Sequence, residues 1–387
     1  MIRLACLLAL GLALPAAARP LPANFGFAIG LYRALDSGTD NMALAPASVA
    51  AAVALAGMGA EGATQAGMET ALGVSGTAGL AALGAAPGGG VQAANALWVA
   101  QGFRLRHSYE TLAARDFDAQ AARLDFARRA AAARAMNDWV AARTAGKITD
   151  LVPAEALNAD TRLVLTNAVY FRGSWRHFDK GDTDQQPFHA APGQEQSVAM
   201  MHGTGEFLLA HGQGAALLVL PYDGGRAELD VILPDDESGL ARLEAGLSAG
   251  ELAGWLADAR DRLVAVSLPR FTVSGAFELN GALTALGMGR AFDAGRAEFG
   301  AMATLAPGQR LFISAVLHQA YVAVDERGTE AAAATSVQMM MAMAAPPGAG
   351  VTPVPFVADH PFLFIIRARP SGKILFIGRV ERVSGVR

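Results

Sequence analysis

Hydrophobic positions along the chain change their spacing partway through, and that change sets the fold class. Early segments rich in Ala, Leu, Val and Met predict helices over residues 22–36, 46–58 and 128–145, the last stopped by Gly146, a residue suited to a helix C-terminus. Afterwards come short runs of Val, Leu, Ile and Phe bounded by Gly, Pro or Asp. They predict strands over Arg162–Phe171, Ala215–Pro221, Ala227–Leu233, Leu263–Phe271, Phe362–Arg367 and Ile374–Val380. Further helices fit 239–246, 250–260 and 278–287. Helices first and strands mostly later, without regular alternation, give an α+β expectation and argue against a doubly wound parallel sheet. No fixed-period repeat is present, and the one low-complexity stretch, GLAALGAAPGGG from Gly79 to Gly90, is short.

Composition narrows the partners. Of 387 residues, 52% are hydrophobic and 17% charged, enough apolar side chain for a sizeable core. The formal charge of −4, with no Lys/Arg run, gives no surface built to neutralise phosphates, so no nucleic acid partner is expected. Arg3, the apolar run Leu4–Leu14 and the small residues Ala16-Ala17-Ala18 form the three parts of a signal peptide, read as residues 1–18, with one domain over 19–387. No later stretch reaches the roughly 18–20 apolar residues of a membrane span. Cleavage would remove Cys6, the only cysteine, and with it any disulfide. Lys147, Lys180 and Lys373 are the only lysines among 31 basic residues, a bias that fits a GC-rich bacterial genome. The expectation is a secreted protein, periplasmic or extracellular.

Candidate catalytic patterns fail on context. Gly57-Met58-Gly59-Ala60-Glu61-Gly62 has the G-x-G-x-x-G spacing, yet it follows a helical stretch rather than a strand, so it reads as a helix-to-helix turn. The seven histidines, 107, 177, 189, 202, 211, 318 and 360, show no metal-ligand spacing, and no G-x-S-x-G elbow is present. Neither cofactor nor metal is expected, and no enzymatic activity.

The segment Gly328-Thr329-Glu330-Ala331-Ala332-Ala333-Ala334-Thr335-Ser336-Val337-Gln338-Met339 carries the sharper reading. Propensity alone makes it a helix. As a strand it divides into two faces: Thr329, Ala331, Ala333, Thr335, Val337 and Met339 are small or apolar, while Glu330, Ala332, Ala334, Ser336 and Gln338 carry the charge and most of the polarity. Such a segment is able to enter a sheet with its first face on the core. At ~0.5–1.5 kcal/mol net per hydrogen bond, ten or more new bonds would release on the order of 10 kcal/mol.

Here the sequence resembles the serpin family, whose hinge is similar to the run from Glu326 through Gly328, Thr329 and Glu330 to Ala331–Thr335. Six further collinear stretches match: NMALAPASVAAAVALAGMGAEGAT (41–64), MNDWVAARTAGKITDLVP (136–153), TNAVYFRGSW (166–175), SVAMMHGTGEF (197–207), VSLPRF (266–271), and HPFLFIIR with ILFIGRV (360–367, 374–380). The resemblance implies a metastable single domain with a large central sheet, further sheets, about eight to nine helices and an exposed reactive-centre loop over 326–355. It implies a suicide-substrate inhibitor: a serine endopeptidase cleaves the loop, forms an acyl-enzyme, and is trapped in a covalent complex as the loop inserts into the sheet. By the family's spacing the scissile residue is Ala342, followed by Met343, with Met341 and Met340 as alternatives and Gln338 and Met339 as bait. No Lys or Arg lies between Gly328 and Ile366, which points to an elastase-, chymotrypsin- or subtilisin-like target. Asn167, His318 and Ser48 match the polar cluster beneath the sheet where strands must part, and Trp175 matches an aromatic where insertion begins.

Three departures accompany the match. Ala45 replaces a serine common in the polar cluster, removing one hydrogen bond. Ser75–Gly90 lacks basic residues, so no heparin site is expected. The Pro/Gly-rich stretch from Ala344 to Pro353 is long for the family, so the family's spacing fixes the cut site only to within several residues. A monomer is expected. The alternative function is a non-inhibitory serpin-like carrier or chaperone whose loop is only a substrate.

Overall fold

The computed structural model describes residues 24–35, 38, 40–85, 88–191, 193–329 and 352–383. The proposed signal peptide and the loop positions Glu330, Ala331, Ala332, Ala333, Ala334, Thr335, Gln338, Met339, Met340, Met341, Ala342 and Met343 lie outside them.

The architecture is α+β, with helices packed around two large sheets. The sheet that positions the site contains β1 (Val91–Ala100), β2 (Gln120–Leu124), β3 (Leu163–Phe171), β4 (Gly173–Ser174), β5 (Phe271–Glu278), β6 (Ile313–Asp325) and β7 (Gly328–Thr329). Its order is β2-β1-β3-β6-β7-β4, with β5 also paired to β6. The central pair, β3 and β6, is parallel and in register from Leu165 opposite Val316 to Tyr170 opposite Tyr321. Above Tyr321 the pair forks. There β7 runs antiparallel to both β6 and β4, with Thr329 opposite Val324 on one side and Gly173 on the other.

Every residue of β3 is buried, because both faces of the sheet are covered. Leu163 and Leu165 join a core with the helix Pro46–Gly57; Val164 and Ala168 face the opposite way, into a cluster with Ala132, Met136 and Val140 of the helix Arg129–Arg143. A strand buried on both sides reads as a continuous apolar run. The helix Pro46–Gly57 is buried along its whole length, with Pro46 in its first turn, where a missing N–H costs nothing. The nine-stranded second sheet packs its aromatic face against the upper part of the first, with Phe271 between Phe362 and Phe364 at ring distances of 5.6 and 5.5 Å.

Several sequence expectations hold to within a residue or two, among them the strands Ala215–Pro221 and Ile374–Val380 and the helix Asn24–Leu35. Others differ. The strand expected over Leu263–Phe271 is two strands, Arg260–Pro269 and Phe271–Glu278, broken at Arg270. The helix expected over 278–287 shortens to Asn280–Leu283 followed by a widened turn, Thr284–Met288, because Gly287 sits at φ 107°. Gly79–Gly90, read as low complexity, contributes to the helix Gly76–Gly84. Gly57–Gly62 does connect two helices, Pro46–Gly57 and Gly62–Leu72. Among the described residues no helix is long and apolar enough to cross a membrane.

Candidate functional site: a strand seam with the hinge at its mouth

At the fork the chain reverses through Glu326 and Arg327. The Asp325 carboxylate accepts from the Arg327 amide at 2.8 Å, which holds the turn. Gly328 follows at φ 125°, and a Cβ there would lie 2.0 Å from the Gly173 carbonyl oxygen, so only glycine fits. Thr329 is fully buried and its hydroxyl is hydrogen-bonded to the Tyr222 hydroxyl. Burial pushes the Tyr222 phenol well above its ordinary range, so it stays protonated as a partner for Thr329. Trp175 stacks on Tyr222 at 5.1 Å and 4°, and its indole N–H donates to the Asp325 carbonyl at 3.0 Å. The sequence-derived Trp175 thus sits on the hinge turn itself. Tyr222 was not singled out from the sequence; nothing local in LPYDGG distinguishes it.

Glu326 anchors the turn from the other side. Arg270 Nε donates to Glu326 Oε1 at 2.8 Å, Arg270 Nη2 bonds the same oxygen, and Thr183 Oγ1 donates to it at 2.5 Å. Burial alone would raise this carboxyl, but the Arg270 and Thr183 bonds outweigh it and hold the group below the usual carboxylate value. The break at Arg270 between two strands is what aims its guanidinium at the hinge.

Lower on the seam, Asn167 and His318 face each other across β3 and β6. The Ala45 amide donates to His318 Nε2 at 3.1 Å, so Nδ1 carries the proton and donates to Asn167 Oδ1 at 2.6 Å. Asn167 Nδ2 in turn donates to Ser48 Oγ at 2.6 Å and to Asn95 Oδ1. Burial depresses the His318 pKa to about 3, with the Asn167 bond offsetting only part of the effect, so the ring is neutral. The three predicted residues are therefore brought together, with two additions. Asn95 is the one amide within the buried run Ala94–Val99 of β1, and that contrast is a usable clue. Ala45 has no hydroxyl to add to the cluster, and its main-chain N–H supplies a bond to His318.

The remaining histidines are dispersed. His202 bridges Ser267 and Asp184, at 2.9 Å each, on the face of the second sheet, and His211 pairs with Asp235. Among the described residues no group of three or more His, Cys, Asp or Glu side chains is placed to hold a metal.

These features define a class: an α+β protein whose central parallel strand pair is pinned by a satisfied polar cluster, with a strand-forming segment seated at its mouth. The comparisons agree. A family model described as Serpin (serine protease inhibitor) matches residues 22–383. The chain is 37% identical over 367 residues to an uncharacterized serpin-like protein of Thermococcus kodakarensis, covering 92% of this chain and 83% of that one. It is 34% identical over 382 residues to the leukocyte elastase inhibitor of Sus scrofa, covering 93% and 98%. Among solved structures it resembles Serpin48, a highly specific serpin of the insect Tenebrio molitor, with a TM-score of 0.82, 30% identity and coverage of 94% and 97%. The chain belongs to the serpin family, whose members are generally protease inhibitors rather than enzymes.

Proposed function

We propose that the protein is a secreted suicide-substrate inhibitor of a serine endopeptidase with an elastase-, chymotrypsin- or subtilisin-like pocket. The observation that carries the reading is the seat of β7. Gly328 and Thr329 pair with both flanking strands, and a continuation of their register would put residue 332 between Tyr321 and Tyr170, and residue 335 between His318 and Asn167. In that register Ala331, Ala333, Thr335 and Val337 would share the inward face with Thr329, and none is charged.

The protease serine would attack the carbonyl carbon of Ala342, break the bond to Met343 and form an ester with the inhibitor. The freed arm would then add backbone hydrogen bonds along β3 and β6 before water hydrolyses the ester. Insertion has to separate His318 from Asn167, so the polar cluster sets part of the barrier.

The test is to mix the mature protein with pancreatic-type elastase, chymotrypsin and subtilisin, followed by denaturing gels and intact mass. A denaturant-stable complex with release of a C-terminal peptide beginning at or near Met343 is expected. Clean cleavage with no complex and no gain in thermal stability would overturn the reading and favour a carrier.

A further inference from the structure

At the foot of the same seam lies a cleft of about 610 Å³, far from the hinge and unused by the mechanism above. Its walls come from the end of β1, the segments entering β3 and β6, and the residues around Phe126. The volume falls in the range of small-molecule sites. Phe103 and Phe126 line it while staying almost wholly buried, at 6% and 3% exposed, and the partly buried Phe312 adds apolar surface.

Two arginines line it. Arg162 has its guanidinium oriented by the Ala159 and Thr161 carbonyls, at 3.0 and 3.3 Å, and lies 3.7 Å from the exposed Asp160, which does not line the cleft. Arg310 lines it too, exposed and without an ion pair among the described residues. The one acidic lining residue, Asp125, is already engaged, accepting from the Ala127 amide at 3.1 Å and lying 3.6 Å from Arg128. Two arginines beside the partly buried Phe312 suit a small anion that carries an apolar group.

We propose that this cleft binds a small amphipathic anion, an aromatic or alkyl carboxylate, sulfonate or phosphate, and that its occupancy holds the feet of β3 and β6 together. Those feet are already tied, since the Arg162 amide donates to Ser314 Oγ at 2.9 Å, while the Arg162 carbonyl accepts from the Ala100 amide of β1 at 2.8 Å. Arg162 directly precedes β3 and Phe312 directly precedes β6, so a ligand touching both spans the line along which the sheet would open. A ligand that prefers the closed arrangement shifts the protein towards it, and insertion in turn weakens the ligand. This regulatory half rests on the inhibitor reading; the binding half does not.

The experiment titrates the intact protein with naphthalene-1-sulfonate by calorimetry, with naphthalene-1-methanol as the uncharged comparison. Single-site saturation by the sulfonate is expected, at least about tenfold tighter than by the alcohol and weakened about tenfold or more by Arg310→Glu. Ala127→Trp, at an exposed wall position, should abolish binding while leaving the melting temperature unchanged. Lack of saturation, or wild-type affinity in either variant, overturns the site. In a second arm the sulfonate should slow formation of the protease complex in the wild type and not in Arg310→Glu. An unchanged rate overturns the regulatory half, whereas failure of any complex to form with or without ligand counts against the inhibitor reading and leaves the binding result standing.

Discussion

Protonating His318 should open the seam from within, and the structure fixes both sign and size. In the neutral ring Nε2 accepts from the Ala45 amide; in the imidazolium it becomes a second donor facing that N–H, and the bond turns into a repulsion. The folded pKa is depressed to about 3 from an ordinary 6.5, so the unfolded chain takes up the proton first. Stability from this residue is therefore complete above about pH 6.5 and declines as the pH falls towards 3. Between about pH 8 and pH 5 the loss amounts to about 2 kcal/mol, at 1.36 kcal/mol per unit of separation. Glu326 contributes nothing in that window, because a carboxyl held below its ordinary value loses its contribution only at lower pH. Buried Asp230, pushed up by burial against the opposing pull of Arg367, has the opposite sign, so the wild-type slope alone does not isolate the histidine. The assay is urea unfolding of wild type and His318→Gln at both pH values, followed by tryptophan fluorescence. The variant should be weaker at pH 8 but lack about 2 kcal/mol of the wild-type pH dependence. Parallel pH profiles for the two proteins would refute the neutral, acceptor role assigned to Nε2.

Other outcomes follow from the hinge and the bait. Thr329→Arg would bring an unpaired charge into a fully buried site and should convert the protein from a trap into a substrate, seen on denaturing gels as cleaved chain without complex; full trapping by this variant would contradict the proposed insertion. Gly328→Ala should cost at least about 2 kcal/mol, through its positive φ and the clash with the Gly173 carbonyl, measured as a lowered urea midpoint. Glu326→Ala should cost about 1–3 kcal/mol by leaving Arg270 and Thr183 without their shared acceptor, and hydrogen exchange at Gly328 and Thr329 should rise. Mild peroxide, by making Met sulfoxides in the Met339–Met343 bait, should slow protease trapping, and an unchanged rate would remove the bait from that role.

What the sequence disclosed about the fold depended on whether burial left a pattern. Ala215–Pro221 and Ile374–Val380 are almost continuously buried, and their apolar runs were legible to the residue. Val91–Ala100 was not, because VQAANALWVA is rich in alanine, whose helix propensity masks a strand that only its neighbours on both sides stabilise. The long strand Gln194–Gly212 was hidden for another reason: many of its positions are exposed or half-buried, and glycines interrupt its apolar pattern, one of them at a close backbone approach, where a Cβ at Gly203 would fall 2.1 Å from the His177 carbonyl oxygen. The candidate site divides in the same way. Glu326, Thr329, Asn167, His318, Ser48 and Trp175 could be named from the resemblance, yet their partners could not. Arg270, Tyr222, Asn95 and the Ala45 amide come from distant parts of the chain, and only the paired strands bring them within hydrogen-bonding distance. The asymmetry has a physical origin. Under the proposed insertion, a segment that has to enter the sheet is constrained at every inward position, so the requirement is written as a run of small residues, whereas a latch needs only one donor and one acceptor to meet. Position 45 makes the point: losing a serine hydroxyl there does not empty the latch, because the backbone N–H that every residue but proline carries already supplies the bond to His318.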